Sequence, residues 1–240
     1  RMGQVEQMIR YAYWNSGCSG IIVGVSGGVD SALAAAFCCR AVGPDKVLGL
    51  SLPTSVSNPQ DLEDARALCA GLCMEHRVVP IDPMLAAFKT LPGFTENPYL
   101  LGNLMARIRM TTLYYYANRD HRLVCGTSNR SEYLLGYCTK YGDNAADFQP
   151  IVHLYKKDVY EMAKEMQIPE PILSKKPSAG LWEGQSDEGE IGLSYAEIDA
   201  ALVALEAHGW RAENTAEEKV LARVKKNAHK RLPAPSLLAQ

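Results

Sequence analysis

The run Gly24-Val25-Ser26-Gly27-Gly28-Val29-Asp30-Ser31 has the residue types of a phosphate cradle. Gly27 and Gly28 carry no Cβ that would hold an anion off the main chain, and Ser26 and Ser31 add hydroxyl donors. Asp30 is the exception, because a carboxylate beside a phosphate repels it unless a cation bridges the two. Mg²⁺ with a polyphosphate is the simplest arrangement that reconciles them. Taken alone, the same run also reads as a Gly-rich turn whose Ser and Asp cap a helix. It lacks the lysine of Gly-Lys-Ser/Thr phosphate loops.

A second polar run, Gly126-Thr127-Ser128-Asn129-Arg130-Ser131-Glu132, supplies a further carboxylate. Mg²⁺ takes one or two protein carboxylates, with waters and phosphate oxygens filling the rest, so Asp30 with Glu132 would complete the set. Glu132 reads equally well as a solvated acid in the first turn of a helix. The stretch from Gly136 to Asp147 has no periodicity and holds glycines, acids and Lys140, which predicts a loop carrying polar groups.

These runs need elements to present them. The first follows the apolar β-branched run Ile21 to Val25 and opens the Ala-rich run Ala32 to Arg40, a strand-to-helix turn. Val5, Met8, Ile9, Ala12 and Tyr13 predict an amphipathic helix before it. Further strands are predicted at Lys46 to Leu52, Arg77 to Ile81 and Arg122 to Cys125, with helices from Pro59 and over Leu100 to Asn118. Short apolar strands alternating with helices give an α/β fold: a doubly wound, mainly parallel sheet flanked by helices. Its ligands collect outside the carboxyl ends of the strands, where the runs at residues 24 to 31, 52 to 57 and 126 to 132 should converge. Ile168 to Gly192, rich in Pro, Gly, Ser and acids, is too irregular for a core element and reads as a lid loop. Ser194 to His208, opened by a Ser194/Glu197 capping box, and Glu213 to His229 form a C-terminal helical extension.

A chain of 240 residues with 47% apolar and 22% charged residues suits one sizeable core with elaborations or two small domains. A net charge of -2 argues against a general nucleic-acid surface. No apolar run nears the roughly 20 residues that span a bilayer, so a cytoplasmic protein with no membrane partner is expected. Seven cysteines without a C-x-x-C pair are expected to be mostly reduced core residues.

The run SGGVDS resembles the pyrophosphate loop of the N-type ATP pyrophosphatases, which split ATP between its α and β phosphates. Further motifs follow it in the order seen in NAD synthetases. They are Gly102-Asn103-Leu104-Met105-Ala106-Arg107-Ile108-Arg109-Met110, the Thr139-Lys140-Tyr141-Gly142-Asp143 loop, Lys176-Pro177-Ser178-Ala179-Gly180-Leu181, Asp187-Glu188 with Leu193 to Asp199, and His229-Lys230-Arg231. The resemblance covers nearly the whole chain. It implies an adenine-nucleotide alpha-hydrolase-like fold, with residues 1–240 forming a single NAD synthetase domain and no glutaminase domain. Such an enzyme activates the carboxylate of deamido-NAD with ATP, and ammonia then displaces AMP to leave NAD.

By the same resemblance, Gly24, Val25, Ser26, Gly27, Gly28, Val29, Asp30, Ser31, Thr127, Lys156 and Ser178 would contact ATP. Arg107, Lys140, Asp147, His229 and Lys230 would contact deamido-NAD, and Asp30 with Glu132 would hold Mg²⁺. Asp30, Lys156 and Lys140 would be catalytic. Without the resemblance, Arg107 and Arg109 read as surface groups and His229-Lys230-Arg231 as a complement to a helix dipole. The resemblance also implies a homodimer packed through the helix around Arg107, with Leu101, Leu104, Met105, Ile108 and Leu113 supplying apolar surface. Ser51 and the run Ser57-Asn58-Pro59-Gln60 depart from the family pattern. Two rivals stand beside this reading: another SGGxDS amidating or thiolating enzyme, and a silent adenine-nucleotide sensor.

Overall fold

The computed structural model describes residues 2–177, 187–234 and 236. Its sheet is built from β1 (Gly20–Gly24), β2 (Val47–Ser51), β3 (Glu75–Val78) and β4 (Arg122–Cys125), all parallel and ordered β3-β2-β1-β4. The chain runs outward from β1 to β3 and then returns to place β4 on the other side of β1. The switch point therefore lies between β1 and β4, where a ligand cleft is expected.

Alternation along β1 explains why both sheet faces are covered. Ile21 and Val23 face one apolar cluster with α1 (Met2–Ser16), α2 (Val29–Val42) and α3 (Pro59–Gly71), whereas Ile22 faces a second. That second cluster is closed by α4 (Asp82–Lys89) and α5 (Pro98–Arg119), through Met105, Ile108 and Ala117 of α5. Gly49 of β2 is closely packed: a Cβ there would stand 2.9 Å from Met74 Cε and 3.0 Å from Cys69 Sγ, so those side chains would have to shift to admit one. Helix α5 opens on Asn97, whose side chain accepts from the N–H groups of Tyr99 and Leu100, with Pro98 in its first turn.

The remaining helices lie beyond β4: α6 (Arg130–Leu135), α7 (Lys156–Glu165), α8 (Glu170–Leu173), α9 (Asp187–Ile191), α10 (Tyr195–Ala207) and α11 (Thr215–Lys226). Leu135 of α6 packs with Ile198, Leu202 and Leu205 of α10 and Val220 of α11, a third cluster that forms the C-terminal extension. The expected Ser194/Glu197 capping box is present.

Several expectations change. β3 starts two residues earlier than its apolar run, because this polar edge strand is defined by pairing; Val79 and Ile81 still donate to Ser51 O and Pro53 O beyond its end. Ile168 and Ile172 are buried against α2 and α7, so the first part of the segment read as a lid is core. Its prolines had hidden an apolar i, i+4 pair. Met105 and Ile108 face the sheet, leaving Tyr99, Leu100 and Tyr115 as the exposed large apolar residues of α5. Cys38, Cys39, Cys69 and Cys125 are buried free thiols. Among the described residues no helix is long and apolar enough to cross a membrane.

Candidate functional site

A cleft of about 1170 Å³ opens at the carboxyl ends of β1, β2 and β4. Its floor is the loop from Gly24 to Ser31, and the residues after β2 and β4 form its walls. Gly27 sits at φ +84°, and a Cβ on it would stand 2.3 Å from the backbone oxygen of Asp61 in the first turn of α3. No side chain other than hydrogen fits there. Gly27→Ala is expected to cost roughly 1–3 kcal/mol of stability and to raise the KM for ATP; a melting curve with an ATP titration checks both.

The two serines brace this loop from within. Ser31 Oγ donates to Gly28 O at 3.0 Å and accepts from Ser26 N at 3.2 Å, and Gly28 N donates to Ser26 Oγ at 3.3 Å. From just after α8, Lys175 Nζ meets Gly27 O at 3.3 Å, Asp61 at 2.6 Å and Asp64 at 2.5 Å, tying the loop to α3.

One lysine organises the charge at the mouth of the loop. Lys156 Nζ, on a side chain only 4% exposed, lies 2.6 Å from Asp30 Oδ2 and 3.2 Å from Glu132 Oε1. Asp30 comes from the first turn of α2, Glu132 from the first turn of α6 and Lys156 from the first turn of α7. The lysine is aimed by its own backbone: Lys156 N donates to Ser131 Oγ at 3.0 Å, and Ser131 in turn donates to Asp199 of α10. Asn129 caps α6, accepting from Glu132 N at 2.9 Å, and its Nδ2 donates to Asp30 Oδ1 at 2.8 Å.

Burial alone would lower the Lys156 ammonium, but the charges of Asp30 and Glu132 overcome that and hold it above the ordinary lysine value. Burial pushes Glu132 the other way to ordinary carboxylates, up to about 7, against the attraction of Lys156 and with the repulsion of Asp30. Two acids thus share one ammonium. Tyr195 Oη lies 3.4 Å from Glu132 and 3.0 Å from Asp187, while Tyr137 Oη lies 2.8 Å from Glu190 and 3.2 Å from Asp187. Tyr195 thus connects Glu132 to α9, and Tyr137 binds the same helix.

The other expected residues are distributed as follows. Thr127, Arg107, Lys140, His229 and Lys230 all line the cleft with the loop. Arg107 donates to Lys140 O at 3.3 and 3.2 Å, and the Lys140 ammonium stands 5.1 Å from the Tyr141 ring centre. Lys230 Nζ donates to Gly136 O and Cys138 O at 2.8 and 2.7 Å, so it also closes the end of α6. Asp147 stands apart from the cleft lining: its carboxylate accepts from Val124 N at 2.7 Å and Tyr114 Oη at 3.2 Å. Ser178 lies outside the described residues.

Sequence reasoning did not single out Asn129, Lys175 or Tyr195. Asn129 was detectable as a helix cap three residues before Glu132. The others depend on contacts across the fold that spacing does not show.

A doubly wound parallel sheet with a Gly-rich loop at its switch point and an acid pair beside that loop defines a nucleotide-binding α/β protein of the ATP pyrophosphatase type. The comparisons narrow this class. A family model described as NAD synthase matches residues 2–234. An NH(3)-dependent NAD(+) synthetase of Methanoregula boonei is 82% identical over 239 residues, covering 100% of this chain and 96% of the relative. Among solved structures, the NH3-dependent NAD synthetase of Campylobacter jejuni, in complex with the nitrate ion, superposes with TM-score 0.85 at 37% identity, covering 98% of this chain and 96% of that one. A structure described as NMN synthetase from Francisella tularensis gives TM-score 0.86 at 36% identity with the same coverage, 98% and 96%. The chain belongs to the NAD synthase family.

Proposed function

We propose that this chain amidates deamido-NAD with ammonia, consuming ATP and releasing AMP and pyrophosphate. The observation that supports this reading best is the pair Asp30 and Glu132 bridged by buried Lys156 at the mouth of the phosphate loop. A carboxylate attacking an α-phosphate meets strong charge repulsion, and fixed positive charge at the leaving pyrophosphate relieves it. The loop from Gly24 to Ser31 holds the phosphates of ATP, and Thr127 of the cleft wall contacts the same nucleotide. Lys156 stays an ammonium throughout and needs to move no proton. Arg107, Lys140, His229 and Lys230 bind and orient the dinucleotide, so that its carboxylate is aligned with the α-phosphate.

Asp30 and Glu132 are the residues that would hold Mg²⁺, and the donor set fits. Among the described residues no group of three or more metal-ligating side chains occurs, whereas two hard carboxylates beside a phosphate loop suit an ion that keeps phosphate and water ligands. Bound there, Mg²⁺ would supply charge neutralisation for the phosphates. Glu132 must give up its proton to act as a ligand. Below its value of about 7 in the free protein, Mg²⁺ affinity is therefore expected to fall as pH falls, with proton release on binding. Titration calorimetry in two buffers of different ionisation enthalpy measures that proton; its absence at pH 6 would contradict the assignment.

A homodimer packed through α5 goes with this reading, its exposed Tyr99, Leu100 and Tyr115 set against a second copy, and Asp147 would join the dinucleotide contacts. Sedimentation at micromolar concentration is expected to give a dimer mass, and a monomer mass would refute it. A cytoplasmic setting fits these substrates.

The NMN synthetase neighbour favours one second reading, amidation of the mononucleotide counterpart of the same acid. Assaying both acids with ATP, Mg²⁺ and ammonium separates the two. NAD formed at the higher kcat/KM supports the dinucleotide reading; preference for the mononucleotide replaces it.

A further inference from the structure

Arg109 borders the main cleft from the opposite face of the sheet to Lys156, because α5 packs on the second apolar cluster and α7 on the first. The helix sets its height. Leu113 of α5 lies against Gly24, where a Cβ would stand 3.4 Å from Leu113 Cδ1. Arg109 is one turn earlier on the same side of α5, and α5 returns antiparallel to the strands, so Arg109 stands beyond the carboxyl end of β1. The anchor of its guanidinium agrees: Nε donates at 3.0 Å to Leu52 O, two residues past Leu50, the register partner of Gly24. Arg107, two residues earlier, points round the helix to Lys140 O instead. The two arginines thus serve opposite walls, Arg107 the one beyond β4 and Arg109 the one after β2.

This guanidinium is pinned but not satisfied. It offers five N–H donors in a fixed fork and, among the described residues, uses only the one on Nε. Its two Nη groups are not among the polar atoms sealed from solvent, so a ligand in the cleft can touch them. Burial lowers Arg109 below the ordinary arginine value, and the charge of Asp143 only partly offsets this. Asp143 forms no ion pair with it: Asp143 Oδ1 accepts from Thr139 N at 2.8 Å, and burial raises that carboxyl above the usual range. A planar fork held at one edge and open at the other suits two parallel bonds to an oxyanion.

Place decides which oxyanion. Lys156 and the loop from Gly24 to Ser31 face phosphates at the start of α2, while Arg107, Lys140, His229 and Lys230, read above as dinucleotide contacts, come from α5 and from the segments beyond β4. Arg109 reaches toward the β2 wall, away from the contact of Arg107 with Lys140, and this leaves it the nucleoside end of ATP. The phosphate nearest that end is the α-phosphate.

We propose that the two Nη groups of Arg109 hold the α-phosphate of ATP and keep it as AMP. The proposal rests on the amidation reading given above. In the first step the carboxylate oxygen of the acid bonds to the α-phosphorus, and the bond to pyrophosphate breaks with its electron pair leaving on pyrophosphate. In the second, the ammonia nitrogen bonds to the acyl carbon and loses one proton to water, while the electron pair of the C–O bond passes to the AMP phosphate. Arg109 faces negative charge in both steps, whereas Lys156 serves the pyrophosphate that departs after the first.

The test compares the full chain with Arg109→Gln by titration calorimetry against AMP, adenosine, pyrophosphate and deamido-NAD, each with Mg²⁺. Loss of a charged hydrogen-bonding partner is expected to weaken AMP about 10- to 100-fold. Adenosine, pyrophosphate and deamido-NAD are expected to bind as they do to the unaltered chain. A residue that merely ties α5 to Leu52 would not separate AMP from adenosine. The unaltered chain gives a second readout that needs no variant: phenylglyoxal labelling mapped by peptide mass is expected to show Arg109 protected by AMP and not by pyrophosphate. AMP weakened no more than adenosine in folded Arg109→Gln, a loss confined to pyrophosphate or deamido-NAD, or no protection by AMP would overturn this inference alone. Failure of the unaltered chain to release AMP and pyrophosphate from ATP in the presence of deamido-NAD and ammonium would overturn the amidation reading and this inference with it.

Discussion

Lys156→Met is expected to slow pyrophosphate release by about 10²–10³-fold, the loss that follows removal of one preorganised donor at a developing charge. The same change strips two acids of the cation between them. Asp30 Oδ2 and Glu132 Oε1 both rest on Lys156 Nζ, at 2.6 and 3.2 Å, and removing one partner of a buried ionic group costs up to about 3–5 kcal/mol. Part of that cost is avoided when Glu132 takes a proton, and this gives the effect a pH dependence. Glu132 already stands at about 7 in the folded chain, above its unfolded value, and loss of the ammonium raises it further. A group raised on folding binds more protons in the native state, so its stability contribution is present at low pH and is lost as pH rises through the folded value. Denaturant unfolding at pH 6 and pH 8 is therefore expected to show the larger loss for Lys156→Met at pH 8. Equal losses at both values, with pyrophosphate release unaffected, would remove Lys156 from the centre of the site.

Asp30→Asn is expected to leave the fold intact while abolishing Mg²⁺-dependent turnover, roughly a 10³-fold loss. The amide keeps an oxygen to accept from Asn129 Nδ2, the bond that spans 2.8 Å in the native chain, so the turn at the start of α2 is preserved. What disappears is charge, on the carboxylate nearest both the phosphate loop and Lys156. Raising the Mg²⁺ concentration is not expected to restore the rate, because the substitution removes a ligand as well as weakening a site. Melting temperature and turnover measured on one preparation decide the matter. Recovery of full turnover at high Mg²⁺ would show Asp30 to be an outer partner and leave Glu132 as the ligand.

Much of this site was legible because its chemistry lies in contiguous runs. SGGVDS between a β-branched strand and an Ala-rich helix specifies a phosphate loop at a sheet edge, and β1 and α2 stand where that pattern placed them. Glu132 was ambiguous between metal ligand and helix acid, and the structure shows why: its N–H and its Oε2 close a capping box with Asn129 while its Oε1 accepts from Lys156. The position of Lys156 in the acid pair was not readable from spacing, since it depends on Ser131 and Asp199 fixing the start of α7 from two other elements. Helix α7 repeats Val159, Met162 and Ala163 on one face but follows a long aperiodic loop, and α4 is a short helix that starts directly after the extended run ending at Ile81, so neither stands out in the sequence. The dimer face of α5 was misjudged for a related reason. A helix that is apolar on more than one side does not announce which side meets the sheet, and Met105 and Ile108 turned out to be core. Asp147 shows the same limit: its residue type is right for a ligand, but its present partners are Val124 N and Tyr114 Oη.

The central claim is that the acid is activated as an adenylate in the cleft between the phosphate loop and Lys156. Its most direct test supplies deamido-NAD labelled with ¹⁸O in the carboxylate, together with ATP, Mg²⁺ and ammonium, and weighs the AMP by mass spectrometry. One ¹⁸O is predicted in the AMP phosphate, with pyrophosphate as the other product. Unlabelled AMP, or ADP with inorganic phosphate in its place, would contradict the account.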